Sequence, residues 1–499
     1  MKRNSLVSVD SRRWWTLAVL CLSLLVIGLD NTILNVALPT LQRELDASAS
    51  QLQWIVDVYM LVFAGVLLTA GSLGDRFGRK RALSLGLLVF GAGSLGSALA
   101  SSPELLIATR ALMGAGGAFI MPSTLSILTA TFPASERGRA IGIWAGFSGI
   151  GIAIGPVAGG WLIENADWSW IFLVNVPVVA LALLAGRWLV PESRDESAPR
   201  LDWAGFLLSF AALTVLVWGL IEAPSRGWTD GLVLAAFGAA AIGLAAFGAW
   251  ERRAPSPMLD VALFRNPRFS ASSAAISLAF FALFGMIFFL TQYLQEVRAY
   301  SALEAGLRTL PVAGGLILGG PLSARLAERL GIRVVVPLGL ALVAVALWLL
   351  AGVDAASAYG VVAGALVLMG FGMGTAMAPA TDAIMGSLPA AKMSVGSAIN
   401  DTTRVAGGSL GVAVLGSLLA SGYRGEMDSV RAPAPAHDSL AGALAVGDPR
   451  LVDAARDAFL SGMHTAALVA AAVALGGAVV AAVFLPSRTR VAAREAVPA

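Results

Sequence analysis

Residues 71–81 read Gly71-Ser72-Leu73-Gly74-Asp75-Arg76-Phe77-Gly78-Arg79-Lys80-Arg81, a short basic segment between two apolar runs. Gly74 and Gly78 allow a tight turn between helices. Asp75 suits a helix N-terminus, where its charge meets the positive dipole end. An ordinary basic loop explains the arginines but not the acid among them. A degraded copy, Leu326-Ala327-Glu328-Arg329-Leu330-Gly331-Ile332-Arg333, follows a later apolar run at an offset of 253. Leu112-Met113-Gly114 leading to Met121-Pro122 is matched by Leu368-Met369-Gly370 leading to Met377 and Pro379, at an offset of 256 or 257. Two matches at nearly one offset indicate duplicated, parallel halves.

The surrounding composition places those halves in a bilayer. Of 499 residues 57% are hydrophobic and 13% charged, with a mean hydropathy of +0.79. Soluble domains carry roughly 25% charged residues, so this chain cannot cover a water-facing surface of its size. An all-α integral membrane protein is expected. A span needs about 20 apolar residues, and fourteen such runs occur: 14–38, 52–72, 82–100, 105–130, 140–163, 169–190, 203–222, 231–250, 270–294, 305–325, 334–352, 359–387, 395–420 and 462–485. With the N-terminus inside, the inner segments hold 24 Lys and Arg, the outer segments 8, and the spans 2. Positive loops stay cytoplasmic, so both termini are expected there. Eight spans separate the repeats where six would do, so runs seven and eight read as an inserted pair. The expected divisions are 1–195, a six-helix bundle; 196–255, the pair; and 256–499, a second six-helix bundle with a long outer loop at 421–461 and a short helix near 449–459.

Several function classes drop out. The three lysines, Lys2, Lys80 and Lys392, leave no phosphate-binding loop, so no ATP-driven motor is expected. The net charge of +3 gives nucleic-acid binding no support. One cysteine, Cys21, and two histidines, His437 and His464, form no disulfide or metal spacing, and no nucleophile–base pair lies in the spans. Neither an enzyme nor a cofactor is expected.

Ionisable residues inside a bilayer are functional by default. Asp30 lies about eight residues, roughly 12 Å, from the outer end of run one. Arg110 in run four and Asp57 in run two lie at comparable depths. Asp30 and Arg110 are therefore expected to share a cavity. Burial and a guanidinium act in opposite senses on a carboxyl's proton affinity, a balance suited to proton exchange; the same pair could instead merely join two helices. Asp57 with Trp54 and Tyr59 suits a lipophilic cation, which gains from a counter-ion and a π face, although Trp54 and Tyr59 also fit an interfacial belt. In the second half Asn400, Asp401 and Arg404 lie early in run thirteen, with Asp401 and Arg404 on one face. Run five carries Gly146, Gly149, Gly151, Gly155, Pro156, Gly159 and Gly160. Glycines four apart allow close helix contact, and Pro156 bends the helix; a close-packed, bent helix at a rocking interface suits a gate, the role expected of Gly155, Pro156 and Gly159.

Taken together these stretches resemble the major facilitator superfamily, in particular its fourteen-helix drug/proton antiporter branch. Residues 71–80 resemble its loop 2–3 signature, which implies a gating role for Gly71, Asp75, Arg76, Gly78 and Arg79. Arg110-Ala-Leu-Met-Gly114 with Gly117 is similar to the helix-four motif, whose arginine is implicated in proton transfer. Gly151 to Gly160, with Gly155-Pro156 and Gly159, resembles the helix-five motif associated with exporters. Leu29-Asp30-Asn31-Thr32-Ile33-Leu34-Asn35 through Pro39 resembles the helix-one motif, and Trp54-Ile55-Val56-Asp57-Val58-Tyr59 resembles quaternary-ammonium and dye exporters. The resemblance implies two six-helix bundles plus two extra central helices, alternating access driven by a proton gradient, Asp30 and Arg110 as the proton-coupling pair, and Asp57, Trp54, Tyr59, Asn35, Asn400 and Asp401 at the substrate. Where such exporters carry acids on helix thirteen, this chain has Asn400, Asp401 and Arg404. Small amphipathic or cationic substrates and a bacterial cytoplasmic membrane are implied; the excess of Arg over Lys, 31 to 3, fits a GC-rich bacterial genome. A narrow antibiotic exporter and a proton-coupled uptake symporter are the rival readings.

Overall fold

A computed structural model describes residues 4–194, 201–257, 259, 261–387 and 393–485. The expected division at 195–196, Lys392 and the terminal arginines used for orientation lie outside them. Apolar composition with few charges forces backbone hydrogen bonds inward, and in a membrane helices do this within one segment. The described residues accordingly contain no strand. The first half holds α1 (Asn4–Leu45), α2 (Ala49–Phe77), α3 (Arg79–Ala98), α4 (Pro103–Thr131), α5 (Ala134–Asn165), α6 (Trp170–Leu173) and α7 (Asn175–Leu189). Next come α8 (Trp203–Arg226) and α9 (Gly231–Glu251). The second half holds α10 (Pro267–Gln292), α11 (Ala302–Thr309), α12 (Pro311–Leu330), α13 (Ile332–Ala351), α14 (Tyr359–Met385), α15 (Met393–Met427), α16 (Ala434–Asp438), α17 (Leu440–Val446) and α18 (Pro449–Phe484). Twelve segments are long and apolar enough to cross a membrane. The helices α5 and α12, of 32 and 20 residues, bring the long helices to fourteen among the described residues.

Two separate apolar cores result. One is built from Leu17 to Val190, with Phe288 and Val412 added across the seam. The other runs from Phe269 to Leu485. The pair α8–α9 packs on itself and, through α8, on α2 and α15; Val217 and Ile221 meet Leu61 and Ala413 there.

The sequence repeat is a repeat in space. Gly78, φ 119°, joins α2 to α3, and its N–H donates to the Gly74 carbonyl. Gly331, φ 82°, joins α12 to α13, and its N–H donates to the Ala327 carbonyl. A Cβ on Gly86 would meet the Gly116 carbonyl at 2.8 Å, as one on Gly339 would meet that of Gly372 at 2.5 Å. Both halves therefore cross their third and fourth helices through paired glycines.

Some boundaries differ from the sequence reading. Run six divides at Val174 and run ten at Leu310, before Pro311, which begins α12 at the position where proline's missing N–H costs nothing. Run nine continues through a π turn, Tyr293–Val297. The segment 421–461 is mostly helical: α15 runs on to Met427, and α16 and α17 follow. The helix near 449–459 is the beginning of α18, begun by Asp448, whose carboxylate accepts from the Arg450 N–H. These residues are polar and apolar in helical alternation, so the helix extends beyond its apolar run.

Candidate functional site

Arg110 and Asp30 meet inside the first bundle. The Arg110 Nη1 donates to Asp30 Oδ2 at 2.6 Å, and the two side chains are 2% and 0% exposed. Arg110 Nε donates to the Ile55 carbonyl at 3.2 Å, and its Cζ lies 4.4 Å over the Tyr59 ring. Gly114, one turn along α4, makes this possible: a Cβ there would strike the Tyr59 carbonyl, so only glycine lets α2 carry that ring onto the guanidinium. Asp30 Oδ1 and the Tyr59 hydroxyl are buried without a hydrogen-bond partner.

The helix-five glycines seat the helix that carries Asp30. Cβ atoms on Gly151, Gly155 and Gly159 would approach the backbone of Leu25, Leu29 and Ile33 of α1 at 2.9–3.1 Å. Gly155 and Gly159 thus pack within one bundle. The residues that meet the other bundle are Gly160, against Ala302 and Leu303, and Pro156, whose carbonyl faces Gly306. Two hydrogen bonds reinforce this end: Gln295 Nε2 to the Val36 carbonyl at 2.8 Å, and the Leu303 N–H to Glu164 Oε1 at 2.8 Å. The bundles are held together here, at the C-terminal ends of α1 and α5.

Asp57 is fully buried on α2, and neither carboxyl oxygen has a hydrogen-bond partner. Ser409 of α15 is its polar neighbour across the seam. Trp54 packs into the α8 cluster with Leu61, and the Tyr59 face is covered by Arg110. The two aromatics therefore flank Asp57 on separate sides and form no cage around it. Asn35 is buried, its amide donating to the Asn31 carbonyl. In the second half Arg404 lies 3.7 Å from Asp401 and its Cζ 5.4 Å from the centre of the Phe280 ring. Asn400 is buried with its Oδ1 unpartnered.

The 71–81 segment lies in the first bundle. Asp75 sits in the last turn of α2 and pairs with Arg79 Nε at 2.7 Å; the cap of α3 is Gly78, which has no side chain to offer. Gly71 packs on Pro122, and the Arg76 guanidinium lies over the Phe77 ring. The Arg79 N–H donates to the Ser193 carbonyl and the Lys80 ammonium to that of Arg187.

The sequence reading passed over Glu296, buried on the π turn, along with Gln53 and Ser409. A run ending at 294 leaves Glu296 outside the span; the stretch Gln292-Tyr-Leu-Gln295-Glu296, rich in polar groups beside an apolar run, is the available signal.

The chain is 38% identical over 495 residues to the multidrug efflux pump LfrA of Mycolicibacterium smegmatis, covering 96% of this chain and 97% of the relative. It is 38% identical over 411 residues to the tetracenomycin C resistance and export protein of Streptomyces glaucescens (82% and 76%). It is 35% identical over 427 residues to the methyl viologen resistance protein SmvA of Salmonella typhimurium (85% of each). A bacterial homologue of the human lysosomal transporter Spinster, in an inward-facing and unoccupied conformation, shares the fold at a TM-score of 0.67 and 19% identity, over 96% of this chain and 99% of that one. The family model described as Major Facilitator Superfamily matches residues 20–412, and this multi-pass membrane chain belongs to that superfamily of transporters.

Proposed function

We propose that the protein is a proton-coupled antiporter that exports lipophilic cations, such as drugs, dyes and antiseptics, from the cytoplasm or inner leaflet by alternating access. The observation that carries this reading is the pairing of two buried acids of different character on adjacent helices. Asp30 is held by Arg110, whereas Asp57, beside the seam, has two unpartnered oxygens. An unpaired buried carboxylate is costly, and a cation lodged against it removes that cost. The relatives named for multidrug efflux and methyl viologen resistance support the cargo class.

With both termini cytoplasmic, as the Lys/Arg asymmetry implies, the joined end of the bundles faces outward. Cargo then reaches Asp57 from inside. A proton arriving from outside neutralises Asp30, frees Arg110, and weakens the fit of α1 against α2 and α4. Cargo and proton oppose each other through reciprocal coupling. Seated on the helix-five glycines, α1 moves as one body with α5, which carries the Pro156–Gly306 contact.

Purified protein in liposomes with an imposed pH gradient tests this. We expect ethidium to move against its gradient toward the acidic side, and this movement to collapse with a protonophore. Cargo moving with the protons would contradict the reading. A narrow antibiotic exporter of the same mechanism is the second reading, favoured by the relative named for tetracenomycin C resistance and export. Protection against one compound in a resistance panel would select it.

A further inference from the structure

The inserted helix α8 carries a line of aromatic rings that the Asp30 and Asp57 sites do not use. Trp203, Phe206 and Phe210 recur three and four residues apart, on one face of the helix. Trp203 stands edge-on to Phe206 with ring centres 6.2 Å apart, and Phe206 stacks on Phe210 at 5.8 Å. Trp203 is 54% exposed, whereas Phe206 and Phe210 are half-buried. The line ends on Gly65 of α2, where the Phe210 ring lies in the space a Cβ would take. At 1.5 Å per residue Phe210 is about 10 Å deeper than Trp203. An interfacial belt accounts for Trp203 but not for stacked rings that reach this depth.

Outward of Gly65, α8 follows α2 past Asp57. Leu61 and Trp54 pack with Val217 and Ile221, one turn to either side of the acid. Ser50 then donates to Glu222 Oε1 at 3.0 Å, and Trp228 Nε1 to Ser421 Oγ of α15 at 3.0 Å. These bonds tie the outer end of α8 to both bundles. The inner end of the α2–α8 groove is occupied by the Phe210 ring on Gly65.

We propose that Trp203, Phe206 and Phe210 form a lateral entry track for membrane-dissolved cargo, with Phe210 on Gly65 as its gate. This rests on the exporter reading and deepens it, giving cargo in the inner leaflet a route to Asp57 separate from that of water-borne cargo. With the N-terminus inside, Trp203 stands at the cytoplasmic end of α8. A lipophilic cation gains from each π face in turn. Turning Phe210 off Gly65 opens the groove, and Asp57, with its unpartnered carboxyl, lies eight residues or about 12 Å beyond. A gate on an entry route sets how fast cargo arrives and leaves, and not how tightly it is held, because one barrier governs both directions.

The test uses full-length Gly65→Cys/Phe210→Cys protein in phosphatidylcholine nanodiscs. A Cβ on Gly65 would stand 3.4 Å from Phe210 Cγ, so two cysteines there can bridge. The native Cys21 is buried on α1. Stopped-flow fluorescence follows rhodamine 6G, which dissolves in the bilayer, and methyl viologen, which stays in water. The reduced protein, lacking the ring, should bind and release rhodamine 6G about fivefold faster than the native one, the scale of one aromatic stack. The oxidised protein should do both about tenfold more slowly than the native one, or worse. The dissociation constant should stay the same throughout. Phe210→Ala, which needs no bridge, should match the reduced form, and methyl viologen should keep its rates in every variant. Unchanged rhodamine rates, a dissociation constant that moves with them, or equal slowing of methyl viologen would overturn the proposal. No gradient is imposed, so a failure of proton-driven export shows in the liposome assay and a failure of the track shows here.

Discussion

Arg110 is the side chain on which the first bundle's polar interior turns. Its guanidinium serves Asp30, the Ile55 carbonyl and the Tyr59 ring at once. A lysine ammonium cannot reproduce that planar fork, so Arg110→Lys should cut pH-driven transport at least about tenfold, the loss of one charge-assisted hydrogen bond, measured in the same liposomes. Arg110→Ala leaves a buried acid uncompensated, a change that costs about 3–5 kcal/mol in comparable buried pairs. Its thermal midpoint should fall, and the double variant Asp30→Asn/Arg110→Gln should recover most of the loss. Asp57→Asn should keep the midpoint or raise it, because both oxygens lack partners, while abolishing export of permanently charged cations. These two acids and the arginine were legible in the sequence, since charged residues in apolar runs identify themselves. The burial of Tyr59 beneath Arg110 was not, because it depends on Gly114 admitting a neighbouring helix.

At the scale of elements, glycines determine which helices touch. Gly160 and Gly306 let α5 meet α11 backbone to backbone, so Gly306→Val should hold the bundles apart at that end. Cysteine introduced at Gln295, whose amide bonds to Val36 in the joined state, should then react faster with a membrane-impermeant maleimide. The native Cys21 is buried and contributes little background. Equal rates would contradict a contact that gates. Gly78 adopts φ 119°, and a Cβ there would also approach Glu192 Oε1 at 2.8 Å. Gly78→Ala should therefore lower stability by about 1 kcal/mol or more, read as a lowered thermal midpoint. Spacing announced the helix-five stripe but not its partner: glycines four apart say that a helix comes close, and nothing in them says whether it is α1 or α11. The reach of α18 and the π turn were also missed, because helical structure continues past the apolar residues that mark a span.

The whole molecule is two related bundles with α8–α9 set against their seam. That design was largely readable, because the 253-residue offset carries the same positive-φ glycine to the same helix junction in each half. The side that opens follows from where the bundles touch. On the proposed alternating access, the joined end, with Gln295, Leu303 and Gly306, separates while the opposite end closes. Spin labels on the two bundles at the joined end should accordingly lengthen their separation when the interior carboxyls are neutralised, as in Asp30→Asn. The central claim is that Asp30 couples the proton to that exchange of states. Its most direct test is Asp30→Asn in proteoliposomes, comparing pH-gradient-driven ethidium accumulation with ethidium–ethidium exchange. The account predicts that accumulation is lost while exchange persists; undiminished pH-driven accumulation by the variant would contradict it.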